Sequence, residues 1–141
     1  MKVYINATGP DSYGGYYTYI TNLIHNINEL KTNNHYVVLC NGNIYEKLKH
    51  CKKNISIIDG GKNFNSNIYR FFWMQCILPF KLFFFNVDIL LSTLNAGPFI
   101  LKFTSIRSVI VVHSNLPWIQ PEYLPYSKIR ASLFLILKNL S

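Results

Sequence analysis

Three glycines lie close together where an apolar run gives way to an amphipathic segment, in "ATGPDSYGGYYTYI". Glycines at a strand-to-helix junction let the backbone approach a ligand closely, and a helix N-terminus favours an anion. Gly9 and Gly14 have the spacing of a P-loop, but Gly15 and Tyr16 stand where its Lys and Ser/Thr belong, which excludes an NTPase. The dinucleotide fingerprint GxGxxG is absent too. The glycines predict either a phosphate-binding loop of another kind or an ordinary turn.

His113 is the second candidate, because it follows an apolar run and precedes a Pro-rich loop in "VIVVHSNLPWIQPEYLPY". Open α/β sheets bind ligands outside the carboxyl ends of their strands. A neutral imidazole there can donate to a substrate hydroxyl or accept from it. The alternative is a histidine that hydrogen-bonds a neighbouring loop.

Two further polar residues lie in loops at predicted strand ends. Asn95 follows the fourth apolar run, where it forms a turn with Gly97 and Pro98, and Asp11 lies in the first loop. If the first, fourth and fifth strands are neighbours, their loops converge on one crevice. Asp is also a common turn residue, so the placement of Asp11 is weak evidence alone. The sequence shows no paired carboxylates, nucleophile–base pair or metal-ligand spacing.

The elements that must position these residues alternate between strands and helices. Apolar, β-rich runs occur at 2–5, 35–40, 54–58, 88–92 and 107–112, and helical segments at 16–31 and 66–84. Continuous apolar runs are typical of strands covered on both faces. We therefore predict an α/β fold: a doubly wound, mostly parallel, Rossmann-like sheet of about five strands.

The end of the sequence indicates how this domain is organised. Ser127 can cap an amphipathic helix that runs to Leu140. Doubly wound sheets often have six strands, and only five are predicted here. We expect residues 1–141 to form a single incomplete domain that stops before its last strand.

Composition bounds the partners and the compartment. The 141 residues carry a net charge of +8, which suits anionic partners. The basic residues are scattered except for the cluster at 47–53, which predicts a solvated helix face and loop, and no nucleic-acid motif accompanies them. We expect no nucleic-acid partner. Three scattered cysteines and the lack of a signal peptide favour the cytoplasm.

The apolar stretch at 66–84 raises the question of a membrane. Lys81 interrupts it, Pro79 is expected to break its helix, and no uninterrupted apolar run reaches the length of about 18 residues that a spanning helix needs. Such a segment either lies on a membrane surface or is buried between a helix layer and a sheet, and the sequence favours burial.

An ordered set of segments resembles the N-terminal half of retaining glycosyltransferases of the GT-B fold, the group often called family 4 or group 1. The set comprises "KVYIN…GGYYTYITNL", "VDILLSTLNAGPF" and "VIVVHSNLPWIQPEYLPY", and it spans essentially the whole chain. The resemblance implies a hexosyltransferase that moves a sugar from a nucleotide-sugar donor, a substrate and not a cofactor, to a polysaccharide, lipopolysaccharide or lipid-linked acceptor. It also implies catalysis without a metal or other cofactor.

The resemblance also implies roles for individual residues. Gly14 and Gly15 would offer backbone N–H groups to the donor's diphosphate, and His113 would be the catalytic residue near the transferred sugar. Asn95, Tyr16 and Asp11 would contact substrate. The family often has His-Asp where this chain has His113 followed by Ser114.

In such enzymes a C-terminal domain holds most of the donor. We expect it to be missing here, or supplied by a separate chain, so that this chain alone has little activity. Basic charge and aromatic content would suit peripheral contact with the inner face of the cytoplasmic membrane.

Two other classes of protein remain open. One is a non-enzymatic binding or interaction domain that associates through its cut edge. The other is a small nucleotide-binding protein of flavodoxin-like topology, which would form a tight flavin or nucleotide complex.

Overall fold

The computed structural model describes residues 1–9, 14–51 and 54–113. Their centre is a five-stranded sheet in which every neighbouring pair of strands is parallel. The strands are β1 (Lys2–Ala7), β2 (His35–Cys40), β3 (Ile55–Asp59), β4 (Ile89–Ser92) and β5 (Arg107–Ile110). All five predicted strands are therefore present, with ends that shift by one or two residues.

Helices cover both faces of the sheet. They are α1 (Gly15–Glu29), α2 (Gly42–Leu48), α3 (Asn67–Phe72) and α4 (Leu78–Phe84), and a π turn (Trp73–Ile77) joins the last two. Shorter 3₁₀ turns span Lys62–Asn65 and Phe99–Phe103. This arrangement of helices confirms the predicted α/β class with a parallel, Rossmann-like sheet.

The strand order, β3-β2-β1-β4-β5, places β1 at the centre of the sheet. It matches the first five strands of the Rossmann order 3-2-1-4-5-6 and differs from the flavodoxin-like order 2-1-3-4-5. The flavodoxin-like topology is therefore wrong for this chain, whereas the flavin or nucleotide complex of that alternative stays a prediction. The strand order reverses between β1 and β4, so the crevice outside their carboxyl ends is where the fold favours ligand binding.

Alternation along β1 divides the core into two clusters. Tyr4 faces the side of α4 and packs with Trp73 and Leu82, whereas Ile5 faces α1 and packs with Ile24. Each of these side chains is almost fully buried. Both faces of the central strand are thus covered, as its continuous apolar sequence predicts.

The segment at 66–84 differs from its prediction in two ways. Pro79 does not end the helical segment, because it lies at the second position of α4, directly after the π turn. A π turn changes the hydrogen-bonding pattern locally and can accommodate a residue that lacks an N–H. Only the inner face of the segment is buried; on the outer face Phe80 is 68% exposed and Phe84 85% exposed.

Strand β5 also departs from the prediction that the strands are covered on both faces. All four of its residues are exposed, including Val109 and Ile110. It is an edge strand that pairs with β4 alone among the described residues.

The chain divides into two compact units, Met1–Val111 and Val112–Ser141. The sheet and its helices belong to the first unit. Of the second unit only Val112 and His113 are described, so the helix predicted from Ser127 lies outside the described residues. Within the described part of the chain, no helix combines the length and apolar character needed to cross a bilayer.

Candidate functional site

A chain of hydrogen bonds joins the carboxyl ends of β1 and β4. Thr93, directly after β4, donates its hydroxyl proton to the carbonyl oxygen of Asn6 at 2.9 Å, and its backbone N–H reaches the same oxygen at 3.2 Å. The phenolic oxygen of Tyr16 lies 2.8 Å from Oγ1 of Thr93. Because the Thr93 hydroxyl proton is directed to Asn6, Tyr16 is the donor in this pair.

Tyr16 thereby ties the first turn of α1 to the strand ends. Burial raises the pKa of its phenol well above the usual value, so the hydroxyl stays protonated and keeps its role as a donor.

Of the three glycines, only Gly9 is required by packing. A Cβ atom on Gly9 would lie 1.8 Å from Cε1 of Tyr16, whereas a Cβ on Gly14 or Gly15 would meet no atom within 4 Å. Gly14 precedes α1 in extended backbone that any residue can adopt. The fold therefore needs Gly9 to make room for the Tyr16 ring, and it leaves the approach to Gly14 and Gly15 open.

Arg70 on α3 brings positive charge to this crevice. Its Nη1 donates to the carbonyl oxygen of Thr8 at 3.3 Å, and its Nη2 hydrogen-bonds Oδ1 of Asn67. The side chain is half-buried, and desolvation lowers the pKa of its guanidinium, which nevertheless remains charged at neutral pH. It lies close enough to Tyr16 to interact with it electrostatically.

Asn6, near the end of β1, adds a buried amide. Its Oδ1 accepts a hydrogen bond of 2.9 Å from the Thr8 hydroxyl, while its Nδ2, in a side chain only 1% exposed, has no partner among the described residues. Buried polar groups without a partner are uncommon and call for an explanation. A bound ligand or an ordered water at the end of β1 would supply the missing acceptor.

A polar cleft of about 380 Å³ lies at the neighbouring strand ends, those of β2 and β3. Its lining includes Asn43, Glu46, Asp59, Lys62 and Asn65. Beneath them Asn41, 1% exposed, donates from Nδ2 to Oδ1 of Asn65 at 3.0 Å, and its own Oδ1 has no partner among the described residues. Amides and carboxylates of this kind suit a hydroxylated ligand.

Asn95 lies where β4 and β5 end. Its backbone has a φ of 59°, in the left-handed region that Asn tolerates better than most residues. Its N–H donates to the carbonyl oxygen of Val111 at 3.2 Å, and the N–H of Val111 donates to the carbonyl oxygen of Ser92 at 2.8 Å. The predicted loop after β4 is therefore fixed against the end of β5.

The remaining predicted site residues fall elsewhere. His113 is exposed and belongs to the second unit, and Asp11 lies outside the described residues. Within the first unit, the structure brings Tyr16 and the start of α1 together with the end of β4.

Sequence reasoning missed Asn6, Thr8, Arg70 and Thr93. A detectable signal existed for each, because polar residues stand directly at the ends of apolar strands in "YINAT" and "ILLST". Arg70 is likewise the single charge in "NIYRFFWMQC". A lone charged side chain within an apolar segment needs a polar partner when it is partly buried. Here that partner is the carbonyl oxygen of Thr8, directly after β1.

Taken together, the crevice between β1 and β4 presents the guanidinium of Arg70 and the amide Nδ2 of Asn6. The hydroxyl protons of Thr8, Tyr16 and Thr93 are directed to partners within the crevice. Gly14 is the N-cap residue of α1, and no side-chain hydrogen bond among the described residues caps the helix there. The first turn of α1 also holds no acidic residue. No cluster of three or more His, Cys, Asp or Glu within 1–9, 14–51 and 54–113 could hold a metal ion. The arrangement suits binding of an anion at a helix N-terminus.

Comparison of the chain with protein-family models, curated proteins and solved structures gives no match. The class defined by fold and site is therefore a Rossmann-like α/β domain with a candidate anion-binding crevice at its topological switch point.

Proposed function

We propose that residues 1–141 belong to the acceptor-side domain of a glycosyltransferase that uses a nucleotide-sugar donor. The observation that carries the proposal is the half-buried guanidinium of Arg70, anchored to the carbonyl oxygen of Thr8 at the switch point of the sheet. A nucleotide sugar carries its negative charge on a diphosphate, which planar guanidinium groups and helix N-termini bind well.

Under this proposal the start of α1 forms one wall of the diphosphate site. Gly14 and Gly15 leave that wall open, because no atom lies within 4 Å of where their Cβ atoms would stand. Charge developing on a leaving diphosphate is stabilised by donors that are already in position. The guanidinium of Arg70 is held in such a position by its hydrogen bonds to Thr8 and Asn67, while the contact of Tyr16 with Thr93 fixes the start of α1.

The polar cleft at the ends of β2 and β3 is assigned to the acceptor saccharide. Its carboxylates, Glu46 and Asp59, and its amides can exchange hydrogen bonds with sugar hydroxyls. The resemblance assigns His113 to the transferred sugar and Asn95 to substrate, and it assigns most donor contacts to a second domain. The resemblance also implies that the acceptor is a polysaccharide, a lipopolysaccharide or a lipid-linked saccharide.

The test is binding of diphosphates to the ¹⁵N-labelled full-length chain, followed by NMR. Inorganic pyrophosphate, UDP and GDP are titrated in turn, and we expect the amide signals of Gly14, Gly15 and Thr93 to shift. Arg70→Gln should weaken binding by about tenfold or more, since a hydrogen bond between charged groups contributes roughly 1.5–3 kcal/mol. Arg107→Gln, on exposed β5, is the matched control and should leave binding unchanged.

Either of two results would contradict the proposal. One is that none of the three compounds shifts these amide signals; the other is that Arg70→Gln and Arg107→Gln weaken binding equally, which would indicate non-specific attraction to a basic protein. Thermal unfolding of each variant verifies that the fold is intact.

A second candidate function is an interaction domain that associates through β5. The exposure of all four β5 residues favours it, because an exposed edge strand is a template for pairing with another chain. Light scattering of the purified chain separates the two functions. Arg107 and Val111 direct their N–H groups to β4, so the N–H of Ser108 between them faces the open edge. A stable oligomer that Ser108→Pro converts to monomer supports the interaction domain.

A further inference from the structure

The outer face of α4 and the π turn carries an apolar groove of about 690 Å³. We call it the aromatic groove; its lining residues are Cys76, Ile77, Phe80, Lys81, Phe84 and Phe85. Phe80 and Phe84 are 68% and 85% exposed. Large contiguous apolar patches on a protein surface mark interaction sites.

The groove is more apolar than packing in this fold requires. The outer face of a helix that covers a sheet is ordinarily polar, and a helix that is apolar all round is ordinarily buried. On the inner face Leu78 and Leu82 are fully buried against the sheet. The outer phenylalanines contribute nothing to that core, so their apolar character needs a partner.

The apolar surface continues onto the neighbouring 3₁₀ turn. Gln75 connects the two, because its Nε2 donates to the carbonyl oxygen of Gly97 at 3.1 Å and its Oε1 accepts from the N–H of Phe99 at 3.1 Å. Leu101 of this turn is buried in the same cluster as Leu82. Phe99 is half exposed and Phe103 is 85% exposed.

The charges around this surface have one sign. Between positions 67 and 85 the only charged residues are Arg70 and Lys81, both basic, and Lys102 lies in the adjacent turn. The first carboxylate along the chain after position 85, that of Asp88, accepts the backbone N–H of Lys2 at 2.7 Å. A second copy of the chain would bring like charges together at this face, whereas an anionic bilayer would supply the opposite charge.

We infer that the aromatic groove docks on an anionic phospholipid bilayer. The rings of Phe80, Phe84 and Phe85 enter the boundary between headgroups and acyl chains, and Lys81 reaches the lipid phosphates. The segment lies in the plane of the interface, as amphipathic helices with a basic and an aromatic component do. This inference does not depend on the proposed transferase function, because it rests on a different surface.

The test is co-sedimentation of the purified full-length chain with vesicles of phosphatidylcholine, with and without phosphatidylglycerol. We expect binding only when phosphatidylglycerol is present, and weaker binding as salt is added. The double variant Phe80→Ser with Phe84→Ser should lower the partition coefficient at least about tenfold. Leu30→Ser, which alters a side chain 61% exposed at the end of α1, is the matched apolar control.

The contribution of charge is measured in the same assay. Lys81→Gln should lower binding to phosphatidylglycerol vesicles about fivefold, while Lys47→Gln on α2 should have a clearly smaller effect. Equal loss from these two variants would indicate attraction to net charge alone and would overturn the inference.

Three further outcomes would overturn it as well. They are absence of binding to any vesicle, equal binding to both lipid compositions, and a concentration-dependent oligomer that the double phenylalanine variant abolishes. The last outcome would identify the groove as an interface between copies of the chain. Circular dichroism of each variant ensures that a loss of binding does not reflect a loss of fold.

Discussion

Replacing Gly9 with Ala should destabilise the protein through a single steric conflict. The added Cβ would lie 1.8 Å from Cε1 of Tyr16 and 2.5 Å from its Cδ1 and Cζ atoms. The φ of Gly9 is outside the left-handed region, so alanine at this position would cause no backbone strain. The conflict can be relieved only if the ring of Tyr16 or the loop moves.

The loss of stability has two sources, the overpacking itself and the hydrogen bond that the Tyr16 ring makes in the parent protein. Overpacking a well-packed site costs about 1–3 kcal/mol. A displaced ring also gives up the 2.8 Å hydrogen bond with Thr93, which contributes about 1 kcal/mol. We therefore expect Gly9→Ala to lower the free energy of unfolding by about 2–4 kcal/mol.

Urea unfolding of a double-mutant cycle measures this cost. In a Tyr16→Ala background the ring is gone, and Gly9→Ala should then cost no more than about 0.5 kcal/mol. Gly15→Ala, at the first residue of α1, is the matched control: its Cβ would meet nothing within 4 Å, and its effect should range from neutral to about 1 kcal/mol stabilising. If the effects of Gly9→Ala and Tyr16→Ala simply add, the steric reasoning is refuted.

Three further predictions concern the thiols and the turn after β4. Burial raises the pKa of the Cys40 thiol to about 12 from its usual value of 9.0, so between these pH values the unfolded chain releases a proton that the folded chain keeps. In urea unfolding, the free energy of unfolding should be constant with respect to this thiol below about pH 9. Above that pH it should fall by up to about 1.4 kcal/mol per pH unit. Cys40→Ala should reduce that slope, and a slope unchanged from the parent chain would contradict the assignment; Cys76→Ala, at an exposed thiol, is the control. A thiol reagent should modify exposed Cys76 first and buried Cys40 only on unfolding, as mass spectrometry can establish. Asn95→Ala should cost about 1 kcal/mol because φ is 59° there, whereas Asn95→Gly should cost less than half of that; equal costs in denaturant unfolding would exclude backbone strain as the cause.

The sheet could be predicted from sequence because parallel strands leave a strong one-dimensional signal. Apolar runs such as 35–40 are bounded by polar residues, and in the central strand β1 burial of both faces removes any alternation that could suggest another period. The edge strand β5 is exposed, yet its apolar run is continuous as well. Strand order is a different matter. It depends on where helices cross the sheet, and a sequence of strands and helices is compatible with both the Rossmann and the flavodoxin-like order.

The candidate site was predictable only in part, since its residues come from distant positions. The glycines at 14 and 15 mark a junction within one stretch of chain. By contrast, the contact between Arg70 and Thr8 spans 62 positions, and the one between Tyr16 and Thr93 spans 77. Contacts of this range exist only once the sheet has formed, so sequence spacing cannot reveal them.

The π turn at Trp73–Ile77 also fixes the rotation of α4 relative to α3. Arg70 lies on α3, and Phe80 and Phe84 of the aromatic groove lie on α4. Each residue in an α-helix advances the direction of its side chains by about 100°, and a π turn accommodates one residue more than an α turn. Deleting one residue from this turn would let the segment continue as a regular helix. Everything beyond the deletion would then rotate relative to α3. Leu78 and Leu82 would leave the core, or Arg70 would leave the end of β1. The extra residue thus couples the direction of Arg70, on one side of the turn, to that of the phenylalanines on the other.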